Sequence, residues 1–593
     1  MEFESVPRMF ASVVDANRDG IAFQRKKNGT WQDITWDEAK KTVDLISRGL
    51  MALDVQHGDK VNILSQSRLE WSLCDLGIAG AGAATVGIYP SNLAEDCAYV
   101  ANHSDAVVMF IEDQEQLAKI QSIRHDLKNV RKLVVFDGPS DPAADVLGWD
   151  DFLAQAETVS AADHQTRSDA IKPEDLASIV YTSGTTGVPK GAMLTHDNLL
   201  FTSGSVEDSL AIEGDYTTLL FLPLAHVFAR MIAYASLRTA TTVAFAEDIT
   251  TVAENLKEIR PHFIASVPRI FEKVHDKITT GVREAGGIKE KLFNWALGVG
   301  RRVSTHQQAG TSIPGLLGLQ HNLAEKLVLG KVQAALGGRL HWAVSGAAPL
   351  NQDIAEFFHA CGVVILEGIG MTENTSFSNV NRFDNNRFGT VGEVGPGIEQ
   401  KIAPDGEVLY RGRNVMQGYY KNPDATAETI DEEGWLYTGD VGEIDDDGFL
   451  RITDRKKDLI ITAGGKNVAP QRIERILRAS SYISQVVAIG DKRKFISALI
   501  TLEPENMAKW AQKNGMETAT MAELANDPKV FKLIEEEVAI QNAQLASFES
   551  VKKFVILEQD FTIESGDLTP SMKVRRKTVL EKFSDRVEQM YAS

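Results

Sequence analysis

Between Tyr181 and Gly191 the chain reads YTSGTTGVPKG. The hydroxyls of Thr182, Ser183, Thr185 and Thr186 crowd around Gly184 and Gly187, and Lys190 follows. Glycines let a backbone bend and approach a ligand closely. Amides, hydroxyls and an ammonium all donate hydrogen bonds or positive charge, which suits a polyphosphate. The spacing is not that of the P-loop, which needs two glycines five apart and then Lys-Ser/Thr. A Gly/Ser/Thr-rich stretch between strands is commonly only a connection. Here the density of donors and the closing lysine favour a phosphate loop of another kind.

Such a loop needs a rigid support. Leu176–Tyr181 is a short apolar run that reads as a strand leading into it, and Thr195 is placed to cap a following helix. Farther along, Leu340–Ser345 reads as a strand and Gly346-Ala347-Ala348-Pro349 as a turn. Asn351 caps a helix over Gln352–Ala360, Gly362 ends it, and Val363–Leu366 returns as a strand. Strands alternating with helices over the first 450 or so residues predict parallel sheets covered by helices. Ligands of such sheets sit beyond the carboxyl ends of the strands, where both the phosphate loop and Glu367–Glu373 fall. Residues 281–336 are mostly helical in pattern, with a break at Gly310–Gly318, and read as an insertion capping the larger domain. Glu443–Thr453 reads as a hairpin with an Asp-Gly turn. Its acidic spacing would suit calcium only between helices, and strands flank it. The charged Asp454–Asp458 reads as a joint. The expected organisation is a large α/β domain over 1–454 and a small mobile α/β domain over 455–593.

The chain has 593 residues, 43% of them hydrophobic and 24% charged, as in an ordinary globular protein of several subdomains. A net charge of −20 argues against nucleic-acid binding. Cys74, Cys97 and Cys361 lie far apart and fit a reducing compartment without disulfides or a cysteine-held metal. The opening MEFESVPRMF has neither the basic region nor the apolar core of a secretory signal. No apolar run approaches a membrane span of roughly 18 residues. A cytoplasmic protein with at most peripheral membrane contact is expected, and its oligomeric state is open.

Further motifs narrow the reading. They are Gly368-Ile-Gly-Met-Thr-Glu373, Leu436-Tyr-Thr-Gly-Asp440, Thr453-Asp-Arg-Lys-Lys-Asp458, Ala463-Gly-Gly-Lys-Asn-Val-Ala-Pro470 and Asp567-Leu-Thr-Pro-Ser-Met-Lys573. Together with the phosphate loop, and in this order, they resemble the signature motifs of the adenylate-forming (acyl-activating) enzymes. The resemblance covers residues 181–573. Val267-Pro-Arg-Ile-Phe271 and the helical insertion are similar to the long-chain fatty acyl-CoA synthetase branch.

That resemblance implies the roles. Thr182, Ser183, Gly184, Thr185, Thr186, Gly187 and Lys190 would hold the phosphates of ATP. Gly346, Ala347, Glu367, Gly368, Ile369, Gly370 and Thr372 would line the nucleotide site, with Thr372 facing the α-phosphate. Asp440 would accept from the ribose and Arg455 would donate to it. Glu373, with Thr185 nearby, would bind Mg²⁺. Lys457 would be the hinge, and Lys456 would face solvent. His226, in Pro223–Arg230, would lie near the acyl carboxylate. Lys573, carried on the small domain, would bridge that carboxylate and the α-phosphate. Lys577 and the arginines beside it could help neutralise the phosphates of coenzyme A. Ile369 stands where most family members carry an aromatic residue against adenine. The implied reaction joins a fatty acid to coenzyme A through an acyl adenylate, with ATP and Mg²⁺. Two rivals are a fatty acyl-AMP ligase serving a carrier protein, and a non-catalytic nucleotide-binding or fatty-acid-uptake protein. The presence of Glu373 and Lys573 argues against the second.

Overall fold

The protein is described by a computed structural model over residues 3–182, 188–464, 466–569 and 573–592. It has a mixed α/β fold in which helices cover largely parallel sheets. One sheet runs in the order 393–394, 379–380, 364–369, 342–345, 263–266, 217–220, 242–245, 21–27 and 30–35. A second runs 418–419, 190–195, 176–182, 84–88, 60–64, 106–113, 132–137 and 146–148. Helices Leu69–Gly80 and Val227–Arg238 are buried along nearly their whole length. Strands covered on both faces read as continuous apolar runs rather than as alternating ones. The buried stretch Leu133-Val134-Val135-Phe136 is of this kind.

The expected alternation holds, with one informative departure. Strand Leu176–Thr182 is not followed directly by a helix. It turns back into Lys190–Thr195, which pairs with it antiparallel, Thr182 opposite Lys190. Lys190 therefore belongs to a strand, held opposite Thr182. Thr195 then caps helix His196–Leu210, accepting from the Asn198 amide. The other expected elements appear as Trp342–Ser345, the Asn351-capped helix Gln352–Ala360, and Val364–Ile369.

The helical insertion starts earlier than its pattern predicts. Helix Pro268–Ala285 opens on Pro268, whose fixed φ and missing N–H suit a first helical turn. Helices Gly287–Gln308 and Gly315–Ala324 follow, the latter running on through a π-turn into Gly330–Ala335. Gly300 lets the second of these helices lie against Gln352–Ala360, because a Cβ there would meet the Ala360 carbonyl at 2.1 Å.

An antiparallel sheet of 399–402, 407–411, 436–444 and 450–455 leads to the last part of the chain. The expected hairpin pairs Ile444 with Leu450 and Asp440 with Arg455. Residues 460–591 build cores of their own around Ile473, Ile500, Ile534 and Val579. This unit leans on the first insertion helix through Arg478–Glu272 (3.8 Å) and Lys509–Glu284 (3.7 Å). Among the described residues no helix is long and apolar enough to cross a membrane.

Candidate active site

Ser183, Gly184, Thr185, Thr186 and Gly187 lie outside the described residues. The frame of their loop is well defined. Tyr99 donates its hydroxyl to the Pro189 carbonyl (2.9 Å), and the Tyr181 hydroxyl meets His103 Nδ1 at 2.8 Å. Thr182 Oγ1 approaches the Lys190 carbonyl at 3.5 Å. The Lys190 ammonium stands 4.9 Å from the centre of the Tyr419 ring, a cation–π contact that orients a flexible side chain.

Tyr419 also reaches the second piece of the site. Its hydroxyl donates to Glu373 Oε1 at 2.6 Å, and the Met416 amide donates to the Glu373 carbonyl at 2.8 Å. Glu373 sits in the 3₁₀ turn Thr372–Asn374 just past strand Val364–Ile369. Asn374 closes that turn by accepting from the Met371 amide (2.8 Å) and donating to Ser378 Oγ (2.6 Å). Gly370 is where the chain folds on itself, since a Cβ there would lie 2.0 Å from the Ser376 carbonyl. Burial and the adjacent Glu373 carboxylate hold the Tyr419 phenol far above its ordinary range, so it stays a donor.

Ile369, Gly368, Gly370, Gly346 and Ala347 line one narrow apolar cavity with Phe228, Val344 and Phe377. His226 is on its wall and caps helix Val227–Arg238, its Nδ1 accepting from the Phe228 amide at 3.2 Å. Burial, aided by the Lys573 charge, lowers its pKa to about 4. The ring is therefore neutral at pH 7, and with Nδ1 accepting, its proton is on Nε2. Glu367 accepts from the Leu350 amide at 3.1 Å. Burial raises its carboxyl to about 7, while Arg475 of the last unit pulls the other way.

Asp440 is buried and ion-paired with Arg455 at 2.9 Å. Burial raises its pKa, against the pull of Arg455 and Lys573. Lys573 follows 570–572, which are not described, and its turn is tied by the Thr569 amide donating to its carbonyl (2.8 Å) and its own amide donating to Thr569 Oγ1 (3.1 Å). Lys573 is exposed, but the protein packed about its ammonium and the like charge of Arg455 lower its pKa, with Asp440 and Glu373 opposing. Lys573 thus stands close enough to Asp440, Arg455, Glu373 and His226 for their charges to interact, although it lies more than a hundred positions beyond all of them in sequence. Lys457 is exposed in the turn after strand Leu450–Arg455.

Residues 10–420 match the AMP-binding enzyme family, and 457–593 match the C-terminal domain of AMP-binding enzymes. The long-chain-fatty-acid–CoA ligase FadD15 of Mycobacterium bovis is 39% identical over all of this chain and 97% of its own length. The chain belongs to the AMP-binding enzyme family. Human long-chain-fatty-acid–CoA ligase ACSBG2 is 31% identical over 99% of this chain and 92% of its own. Among solved structures, the adenylation domain of a carboxylate reductase from Mycobacterium chelonae superposes with a TM-score of 0.79 at 21% identity, covering 99% of this chain and 91% of that one. The anthranilate CoA ligase AuaEII, crystallised with anthranoyl-AMP, superposes at 0.73 and 20% identity, with 98% of each chain covered.

Within this family member, one expectation changes and one gains detail. Lys456 is exposed, as expected, and its ammonium pairs with Asp405 (2.6 Å) and Glu407 (2.8 Å). Glu407 also accepts from the Gly439 amide at 2.7 Å, fixing the turn before Asp440. Arg576 is not free for coenzyme A, because it pairs with Glu474 (2.5 Å) and donates to the Ala488 carbonyl (2.7 Å). Tyr419 is the functional candidate that sequence reasoning missed. Its only signal was the paired tyrosines of Gly418-Tyr419-Tyr420, which say nothing of a carboxylate 46 positions away.

A magnesium ion suits what is present. Among the described residues no group of three or more His, Cys, Asp or Glu gathers into a metal site. A lone buried carboxylate, Glu373, fits an ion that keeps most of its waters and shares substrate phosphates.

Proposed function

We propose that this protein is an ATP-dependent fatty acid–CoA ligase that activates a long-chain acid as its acyl adenylate, releasing pyrophosphate, and then forms the thioester with release of AMP. The observation that carries this reading is the convergence of Lys573 with Asp440, Arg455, Glu373 and neutral His226 about one crevice. Adenylation brings anions together, so its catalysis is mostly positioning and charge neutralisation. Lys190 and the loop hydroxyls hold the terminal phosphates. Asp440 accepts from the ribose hydroxyls while Arg455 fixes that carboxylate's direction. Glu373, aimed by Tyr419, would hold Mg²⁺, which would supply further charge neutralisation at the phosphates. Thr372 faces the α-phosphate. Lys573 bridges the acid's carboxylate and that phosphate. His226 donates Nε2–H toward the acyl carboxylate. Gly346, Ala347, Glu367, Gly368 and Ile369 enclose the base.

We further assign 1–454 as the large domain and 455–593 as a lid that turns about Lys457, so that Lys573 leaves after adenylation. The proposed setting is the cytoplasm, with peripheral membrane contact. An AMP-release assay across a fatty-acid panel tests the reading, with coenzyme A present and absent. Acid-dependent AMP release that requires coenzyme A and yields acyl-CoA is expected. Adenylate that accumulates and passes only to a carrier protein would replace the ligase by an acyl-AMP ligase, and no acid-dependent turnover would leave a non-catalytic protein.

A further inference from the structure

The helical insertion carries a surface that the reaction does not use. Leu316, Leu319, Leu323 and Leu327 are 72%, 70%, 50% and 39% exposed. On a helix of 3.6 residues per turn their spacing confines them to an arc of about 80°. Their buried counterparts Leu317, Ala324 and Leu329 face the protein, so the helix is amphipathic inward and apolar again outward. Ile313, 39% exposed, extends the stripe just before the helix. Leucines at such exposure along one line differ from the single apolar residues common on any surface, and mark an interaction face.

Charge says what the face meets. Residues 287–339 contain seven lysines and arginines and two carboxylates, Glu290 and Glu325, a net charge of +5 within a chain of net −20. Lys326 and Lys331 flank the stripe and are exposed. Arg302 is brought to its edge from the preceding helix by donating to Gln320 Oε1 at 2.9 Å. Among the described residues, Arg302, Lys326 and Lys331 have no carboxylate within ion-pairing distance. A second copy could offer the same leucine stripe, but it would also bring the same Arg302, Lys326 and Lys331, and like charges would oppose that pairing. An anionic bilayer offers both acyl chains and negative headgroups to a helix lying in its interface.

We propose that the leucine stripe of 315–335, with its flanking cations, docks the enzyme on anionic lipid membranes. The face gains a purpose from the ligase reading, on which this part of the argument rests: a long acyl substrate resides in bilayers, as each CH₂ favours burial by about 0.8 kcal/mol. The docking itself does not need that reading, and its test does not measure catalysis.

The test is sedimentation of the full-length protein with vesicles of phosphatidylcholine alone or with phosphatidylglycerol at about a third of the lipid. Binding to the anionic vesicles is expected, weakening as salt is raised. The triple variant Leu316→Ser/Leu319→Ser/Leu323→Ser should lose at least tenfold in partitioning while keeping its circular dichroism. Lys326→Glu/Lys331→Glu should lose about fivefold per cation removed, and only on the anionic vesicles. A wild-type protein that stays in the supernatant with both vesicles overturns the proposal, as does a triple variant that binds like wild type. Sedimentation equilibrium supplies another refutation: a dimer that the leucine variant dissociates would make this a self-association face.

Discussion

Removing one oxygen from Tyr419 isolates the link between the Glu373 carboxylate and Lys190. Tyr419→Phe keeps the ring beneath Lys190 and deletes only the 2.6 Å hydrogen bond to buried Glu373. A hydrogen bond to a charged group contributes about 1.5–3 kcal/mol, equivalent to about 10- to 100-fold in a rate constant. Because Glu373 keeps its backbone anchor at Met416, the fold should survive, and the loss should fall on metal–nucleotide binding. We expect acid-dependent ATP–pyrophosphate exchange to drop within that range, with a higher Mg²⁺ concentration needed for half-maximal rate. Thioester formation from preformed acyl adenylate should stay within about threefold of wild type, since that half-reaction starts without the β- and γ-phosphates. Tyr419→Ala should lose more, because Lys190 is then released as well. If exchange and Mg²⁺ dependence both stay within about twofold of wild type, Tyr419 does not position Glu373. If the variant loses only thermal stability, its hydroxyl is structural.

The other expectations concern the facing side of the crevice. Lys573→Ala should cut pyrophosphate exchange by at least about 10²–10³, the usual loss for one such stabiliser, and largely spare transfer from preformed adenylate; exchange near the wild-type rate would mean the lysine is misassigned. Burial raises Glu367 from its ordinary 4.5 to about 7, so between these values the folded enzyme holds a proton that the unfolded chain has lost. Stability from this group should therefore fall as pH rises from about 4.5 to 7, by up to about 3 kcal/mol. Glu367→Gln should flatten that slope in thermal melts from about pH 5 to 8, and an unaltered slope would contradict the burial. Ile369→Tyr should tighten ATP binding by up to about 1 kcal/mol, the scale of one aromatic contact; calorimetry showing equal or weaker affinity would refute a stacking role at that position.

Much of this site was legible because its motifs are local. The Gly/Ser/Thr-rich stretch, the turn ending at Glu373 and the hairpin joining Asp440 to Arg455 each lie within 16 residues or fewer. Turn chemistry and strand alternation over such spans can be read without neighbours. The Asn351 cap and the Asp-Gly hairpin appear where their residue types placed them. The antiparallel return of Lys190–Thr195 was not legible, because its apolar stretch Ala192-Met193-Leu194 is too short to distinguish a strand from the approach to a helix. Arg576 likewise read as one cation of a basic stripe, and only packing showed Glu474 beside it.

By itself, the sequence determined which groups this protein has for handling anions, and in what order along the chain, since hydroxyl, carboxylate and ammonium chemistry belongs to residue type. Tertiary structure alone decided which of them meet. Tyr419 reaches Glu373 across 46 positions, and Lys573 shares a crevice with His226 across 347. It also decided their protonation, because a shifted pKa depends on burial and on neighbouring charge, and neither exists until distant segments of the chain pack together.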